Sequence, residues 1–403
     1  MLVLIADKLP EPTLTEMRAL GLQVRYEPGL GPEELPKALK GVGVLVVRGT
    51  EVSEQAILAS DALNLIIRAG AGVNSIDVGA ASRRGIYVAN CPGKNASAVA
   101  ELTFTLIGSL DRRVPDAVMS LRAGSWQKNE FARAIGLRGR RLGILGLGAI
   151  GQAVARLGHA YGMRVLGCSR SLTRQRSEDL GIVRAQSVEE LARGSDILSL
   201  HCELTPRTRG IVDRKVLEAL PDRAMLINTA RAELIDHAAL AELIEKKGLK
   251  VGLDVLPDEP GSREATYAHP LLSLGLVYAT PHIGASTDEA QLAIADETVR
   301  ILRAFLVEGV VPNVVNICAA SPARYQLVVR HLDKVGVLAN VLGVLKRHGI
   351  NVEELDNTVF EGAKAACAKL RLASRPSDAC LAEISAFEDE VLHVDLVSLP
   401  NLA

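Results

Sequence analysis

Leu142-Gly143-Ile144-Leu145-Gly146-Leu147-Gly148-Ala149-Ile150-Gly151 couples a short apolar run to three glycines in the pattern G-x-G-x-x-G. The run 142–145 predicts a strand, 146–151 a tight turn and 152–159 a helix. In such a turn the first glycine allows the sharp bend. The second lets the backbone approach a pyrophosphate, and the third lets helix and strand pack closely. The phosphates would sit on the helix N-terminus, where free N–H groups and the dipole favour anions.

The pattern gains weight from its surroundings. Apolar runs at 142–145, 164–167, 197–200, 225–228, 251–253 and 276–279 alternate with helical stretches, which predicts a six-stranded parallel sheet of the dinucleotide-binding kind. An earlier series at 2–6, 44–47, 65–67 and 86–89 predicts a second parallel sheet. These runs are nearly all apolar, as strands buried on both faces are. Ser53 is placed to cap a helix reaching to 59. Helices at 98–110 and 288–308 lead into and out of the nucleotide-binding series, which makes the first domain discontinuous. Two prolines mark 310–323 as a linker. Beyond it the order βαββαβ is that of a ferredoxin-like module. Its elements are strands at 325–330, 350–358, 366–372 and 391–399 and helices at 337–347 and 377–387. Gly349 ends the first of those helices. The expected domains are 1–95 with 285–315, 96–284, and 321–403.

Composition narrows the function. The 403 residues suit two to three domains. Lys and Arg (46) balance Asp and Glu (47), which argues against nucleic acid or an anionic membrane as partner. Aromatic residues at 3% leave no stacking platform for single strands. Cys91, Cys168, Cys202, Cys318, Cys367 and Cys380 contain no C-x-x-C pair, so neither a metal site nor a disulfide framework is expected and a reducing cytosol fits. The opening residues 1–8 are too short for a signal peptide and read as a strand. No run of about 18 apolar residues predicts a membrane span.

Ligands of open α/β sheets bind beyond the carboxyl ends of the strands. Arg231 follows the run 225–228. Asp254 follows 251–253, with Glu259 five residues on. His282 follows 276–279. Hydride transfer between a nicotinamide and a 2-hydroxy acid needs a carboxylate anchor, for which the arginine fork is suited. It also needs a proton carrier near neutral pH, for which histidine is suited, and a carboxylate to favour the charged imidazole. Arg231, His282 and Glu259 fit those roles, and Asp254 is placed to support the nicotinamide or Arg231. In the first series Arg48 can reach a distal phosphate, and Gly70, Ala71, Gly72 and Val73 can form an anion nest for the substrate carboxylate. The strand at 164–167 runs into Gly167-Cys168-Ser169-Arg170, with Arg174 close by, where an NAD site would place a carboxylate. A guanidinium there suits the 2′-phosphate of NADP, so NAD(H) and NADP(H) both stay open.

These stretches also carry a resemblance. Arg68-Ala69-Gly70-Ala71-Gly72-Val73, residues 95–102, 146–151, Asn228-Thr229-Ala230-Arg231, Leu253-Asp254-Val255 with Glu259-Pro260, and Pro281-His282-Ile283-Gly284-Ala285-Ser286-Thr287 resemble the D-isomer-specific 2-hydroxyacid dehydrogenases. The likeness is strongest to members that act on phosphoglycerate. It implies a flavodoxin-like substrate domain and a Rossmann NAD(P) domain, with Arg231, Glu259 and His282 catalytic. It implies cofactor contacts at Gly146, Gly148, Ala149, Ile150, Gly151, Ser169, Arg170, Cys202, Thr229, Ala230, Asp254, Gly284 and Ala285. The reaction implied is NAD(P)-dependent oxidation of 3-phosphoglycerate to 3-phosphohydroxypyruvate in serine synthesis. The alternatives are an NADPH-dependent glyoxylate or hydroxypyruvate reductase and a nucleotide-sensing binding protein. Residues 331–339 and 349–352 resemble an ACT domain, which implies an amino-acid effector such as serine at His331, Asp333 and Asn351, and a homodimer or homotetramer. The chain departs from the family pattern at Ser169-Arg170, at Ala232-Glu233 after Arg231, in a segment one residue shorter at Arg48, and at Asp333 and Val335.

Overall fold

The computed structural model describes residues 1–260, 264–318 and 321–400. The chain divides into two compact units, Met1–Asn316 and Ile317–Ala403. Among the described residues there are three sheets.

The first sheet is built from β1 (Leu2–Ile5), β2 (Gln23–Tyr26), β3 (Val44–Val47), β4 (Leu65–Arg68) and β5 (Tyr87–Asn90). All pairs are parallel, in the order β2-β1-β3-β4-β5. β3 is buried at every position, so its apolar run is what two covered faces require. β2 is an edge strand that the sequence reading passed over. Its Gln23 and Arg25 interrupt the apolar pattern because only one neighbour pairs with it. Arg48 therefore follows the third strand, and Gly70 the fourth. Ser53 caps the helix Glu54–Ala59 by accepting from the Ala56 N–H.

The second sheet holds β6 (Arg141–Leu145), β7 (Arg164–Cys168), β8 (Val183–Arg184), β9 (Ile197–Leu200), β10 (Met225–Asn228), β11 (Lys250–Leu253) and β12 (Val277–Ala279). It is parallel, in the order β12-β11-β10-β9-β6-β7-β8. The expected six strands are joined by β8, a two-residue exposed edge that leaves no apolar signature. Apolar clusters cover both faces, one around Leu198, Leu226 and Leu240, the other around Ile144, Val154 and Ile227. Fully burying one such side chain is worth about 1.5–3 kcal/mol.

The helix Ala96–Arg112 leads into this sheet. The helix Asp288–Arg303 leads out, followed by a π-helical turn, Ala304–Glu308, where a continuous α-helix was expected. Ile294, Val299, Ile301 and Leu302 of the exit helix pack with Val3, Ile5, Val44 and Leu65 of the first sheet.

The second unit carries β13 (Tyr325–Leu332), β14 (Val352–Val359), β15 (Ala365–Leu372) and β16 (Val391–Ser398), antiparallel in the order β14-β15-β13-β16. The helices Val337–Arg347 and Asp378–Ser385 contribute Val341, Val344, Cys380 and Ile384 to its core with Leu327, Ala368 and Leu370. On β15, Ala366, Ala368, Leu370 and Leu372 are buried while Lys369 is exposed, the alternation of a sheet covered on one side. No helix among the described residues is long and apolar enough to cross a membrane.

Candidate active site

In both parallel sheets the strand order reverses beside the first strand, between β1 and β3 and between β6 and β9, and such switch points open a crevice. The glycine turn occupies the second one. Gly146 has φ +93°, and a Cβ there would lie 2.7 Å from the His201 carbonyl oxygen and the Cys202 nitrogen. A Cβ on Gly151 would run into the Gly146 carbonyl. Gly148 faces open space. The turn thus closes on the protein at its first and third glycines and leaves an approach at the second. That arrangement fits a pyrophosphate on the N-terminus of the helix Ala149–Ala160. His201 backs the turn. Burial holds it neutral, with its pKa pushed down to about 3. Cys202 is half-buried, and burial raises its thiol to about 11. Thr229 is buried, its hydroxyl 3.1 Å from that of Thr103.

Past β7, the Ser169 hydroxyl lies 3.3 Å from that of Ser171. Arg170 is exposed and makes no polar contact among the described residues. Arg174 is paired with Glu178 at 3.1 Å.

β10, β11 and β12 are neighbours, so the residues following them share one rim. His282 Nδ1 lies 2.7 Å from Glu259 Oε2. The other carboxylate oxygen, Oε1, accepts from the Leu256 N–H at 2.9 Å. Burial pushes the Glu259 carboxyl up, but the hydrogen bonds from His282 and Leu256 and the charge of Arg231 leave it below the usual value. Both members ride on left-handed backbone: Asp258, just before Glu259, has φ +54° and His282 has φ +52°. Asp254 explains how His282 is held there. It is 1% exposed and accepts from Thr280 Oγ1 at 2.6 Å, Ile283 N at 2.9 Å and Gly284 N at 2.8 Å. Burial nevertheless leaves its carboxyl above the usual value. A Cβ on Gly284 would meet Asp254 Oδ2 at 2.8 Å, which accounts for that glycine. The Ala285 carbonyl accepts from Gln291 Nε2 at 3.2 Å.

Arg231 follows a braced turn. Buried Asn228 accepts from the Ala230 N–H and donates to the Arg231 carbonyl. The Arg231 guanidinium lies against Gly72, where a Cβ would collide with it, and Gly70 is pressed in the same way onto Arg68. The loop 70–73 therefore runs between two guanidinium groups. The N–H groups of Ala71, Gly72 and Val73 donate to no protein acceptor among the described residues, as an anion nest requires. Burial, then the charges of Arg231 and Arg48, bring Arg68 down to about 10. Asp7, after β1, fixes the Arg48 segment by accepting from the N–H groups of Arg48, Gly49 and Thr50. Burial opposes its charge, and these bonds more than offset that. Asn90 steadies the nest by donating to the Ala71 carbonyl.

In the second unit His331 is buried, with Nδ1 on the Leu332 carbonyl at 2.8 Å and Nε2 on Asn357 Oδ1 at 3.2 Å. Asp333 is exposed ahead of the helix Val337–Arg347, and Asn351 lies beyond its far end, near Glu353. That helix has 11 residues, so about 16 Å separates its two ends.

The chain is similar to known proteins. The family model "D-isomer specific 2-hydroxyacid dehydrogenase, NAD binding domain" matches residues 104–284. A hydroxypyruvate reductase of Thermotoga maritima is 40% identical over 272 residues, 67% of this chain and 87% of that protein. The chain belongs to the D-isomer-specific 2-hydroxyacid dehydrogenase family. A D-3-phosphoglycerate dehydrogenase of Methanocaldococcus jannaschii is 38% identical over 320 residues, 77% of this chain. The chain spans 60% of that enzyme's length and 64% of the Archaeoglobus fulgidus one. Among solved structures, the TT0316 protein of Thermus thermophilus matches with TM-score 0.70 and 35% identity, over 78% of this chain and 100% of that one.

The segment matched by the dehydrogenase model contains the glycine turn, Arg231, Glu259 and His282. Arg48 and the loop 70–73 lie outside it. Sequence reading missed Asp7, Arg68 and Asn90 as members of the site. Arg68 opens the motif Arg68-Ala69-Gly70-Ala71-Gly72-Val73, but nothing in its sequence context says that its side chain comes within reach of the Arg231 charge.

Proposed function

We propose that this dehydrogenase oxidises 3-phosphoglycerate to 3-phosphohydroxypyruvate, with NAD(P) as hydride acceptor, in serine synthesis. The observation that carries the reading is the His282–Glu259 contact at 2.7 Å, on the same rim as an arginine pressed against an anion nest. On this reading Arg231 and the N–H groups of 71–73 hold the substrate carboxylate. His282 has Nδ1 committed to Glu259, so Nε2 is the atom that takes the hydroxyl proton. Glu259 steadies the imidazolium that results. Bound nicotinamide supplies the hydride acceptor, and the glycine turn with Ala149, Ile150, Thr229, Ala230 and Cys202 would hold the dinucleotide. Arg48 and Arg68 add positive charge that suits a distal phosphate.

The test is kcat/KM for 3-phosphohydroxypyruvate over hydroxypyruvate, measured with NADH and with NADPH. A large preference for the phosphorylated acid is expected. A ratio near one overturns the reading in favour of a small-hydroxyacid reductase. That second reading draws on the unpaired Arg170 at the end of β7, where a 2′-phosphate would lie. If NADPH is the cofactor, Arg170→Ala raises its KM about tenfold and leaves that of NADH unchanged.

The proposed division is a substrate domain (1–95 and 285–315), a nucleotide domain (96–284) and an ACT-like module (321–403), assembled as a homodimer or homotetramer. With Asp333 and Asn351 at opposite ends of one helix, a serine touching both would bridge two copies of the module, and His331 would support the site from behind. Equilibrium dialysis with labelled serine tests this: absence of binding at millimolar serine rejects it.

A further inference from the structure

The turn that presents Glu259 has a support outside the groups assigned above. Tyr267 Oη donates to the Pro257 carbonyl oxygen at 2.7 Å. Pro257 precedes Asp258, whose φ of +54° bends the chain so that Glu259 faces both Leu256 N and His282. Aspartate is one of the few non-glycine residues that enter that region, and it stays there where the surrounding turn is fixed. The tyrosine ring lies parallel to His269, with centroids 6.3 Å apart and planes 7° apart. His269 in turn meets His237 edge-on at 6.5 Å. His237 Nε2 is 2.8 Å from the Ala232 carbonyl, one residue past Arg231. Three rings thus span from the turn that carries Glu259 to the turn that carries Arg231.

We infer that Tyr267 is a positioning residue, pinning the Pro257 carbonyl so that the Glu259 carboxylate stays on His282 Nδ1. Burial and the negative charges of Asp258 and Glu259 raise the phenol above its usual value, so it remains a donor at neutral and moderately alkaline pH. Burial keeps His237 below its usual value against the pull of the Ala232 carbonyl, which its Nε2 faces, and His269 adds to the lowering. The inference rests on the proposed acid–base role of Glu259 and His282.

Tyr267→Phe removes the donor and keeps the ring. In the reducing direction kcat is expected to fall about fivefold, the effect of one lost hydrogen bond, with KM for the keto acid and cofactor unchanged. The His282 bond holds the Glu259 carboxyl down, so a looser contact moves the acidic limb of the pH profile to higher pH. In a Glu259→Gln background the same change should cost nothing further. An equal loss in both backgrounds, or a raised KM with kcat intact, overturns the inference. A second readout is independent of turnover. In protein labelled with ¹⁵N-histidine, the His282 Nδ1 resonance should shift in Tyr267→Phe at unchanged Tm. If the keto acids are not turned over but the resonance shifts, the positioning stands and the proposed reaction fails. If turnover is present and the resonance stays put, the positioning fails and the reaction stands.

Discussion

Gly72 shows how much one residue can depend on its neighbour. A methyl group there would land on the Arg231 guanidinium, the far end of a flexible side chain. Gly72→Ala should therefore leave the fold intact and displace the anchor. The expected outcome is a fall of about 10- to 100-fold in kcat/KM for the acid at unchanged Tm, checked by steady-state kinetics and a melting curve. An unchanged kcat/KM would show that Arg231 does not hold the carboxylate. At this scale the sequence was informative where chemistry is tied to motif order. Arg231, Glu259 and His282 follow three strands that pair side by side, and so they were legible as a set. Arg68 and Tyr267 were not, because each acts through where its side chain points and not through what it follows. Asp254 is expected to support the nicotinamide or Arg231; within the protein its oxygens accept from Thr280, Ile283 and Gly284.

Among the elements, the strands buried on both faces were read to the residue: Val44–Val47, Ile197–Leu200 and Met225–Asn228. The edge strands β2 and β8 were missed, since an edge needs no unbroken apolar run. The exit helix carries a charge that the sequence does not mark as buried. Glu297 is 5% exposed and bonds Arg300 at 2.6 Å and Asn313 at 2.7 Å, with Lys94 Nζ at 3.3 Å. Arg300 above all, then Asn313 and Lys94, hold its carboxyl down to about 2 from an ordinary 4.5, against the opposing effect of burial. A depressed carboxyl stabilises the fold fully above its ordinary pKa and loses that contribution as pH falls from 4.5 toward 2. Melting curves between pH 6 and pH 3 should show a smaller drop in Tm for Glu297→Gln than for the parent. Parallel drops would remove Glu297 from the account of acid sensitivity.

For the molecule as a whole, the division at Asn316 and Ile317 has a direct test. Among the described residues each cluster of buried apolar side chains lies within one unit, so each unit has a core of its own. A chain of residues 1–316 should fold and turn over the keto acid within about threefold of the full protein, and should lose any response to serine. A truncated chain that fails to fold would show that the second unit is needed to complete the first. In the sequence the rhythm changes after the stretch 310–323, from alternating strands and helices to the order βαββαβ. The switch-point crevices were less visible, because they arise from strand order, which only the pairing of distant segments decides.

Burial above all, then the charges of Arg231 and Arg48, lowers Arg68 to about 10, so like charges meet beside the loop 70–73. Folding brings the Arg68 and Arg231 guanidinium groups together against their repulsion, and an anion between them relieves it. The ligand-free protein should melt at a temperature set by the salt around it: sulfate, which can bridge guanidinium groups, should raise Tm more than chloride at equal ionic strength. Preparations compared in different buffers would then differ in heat tolerance without any difference in sequence.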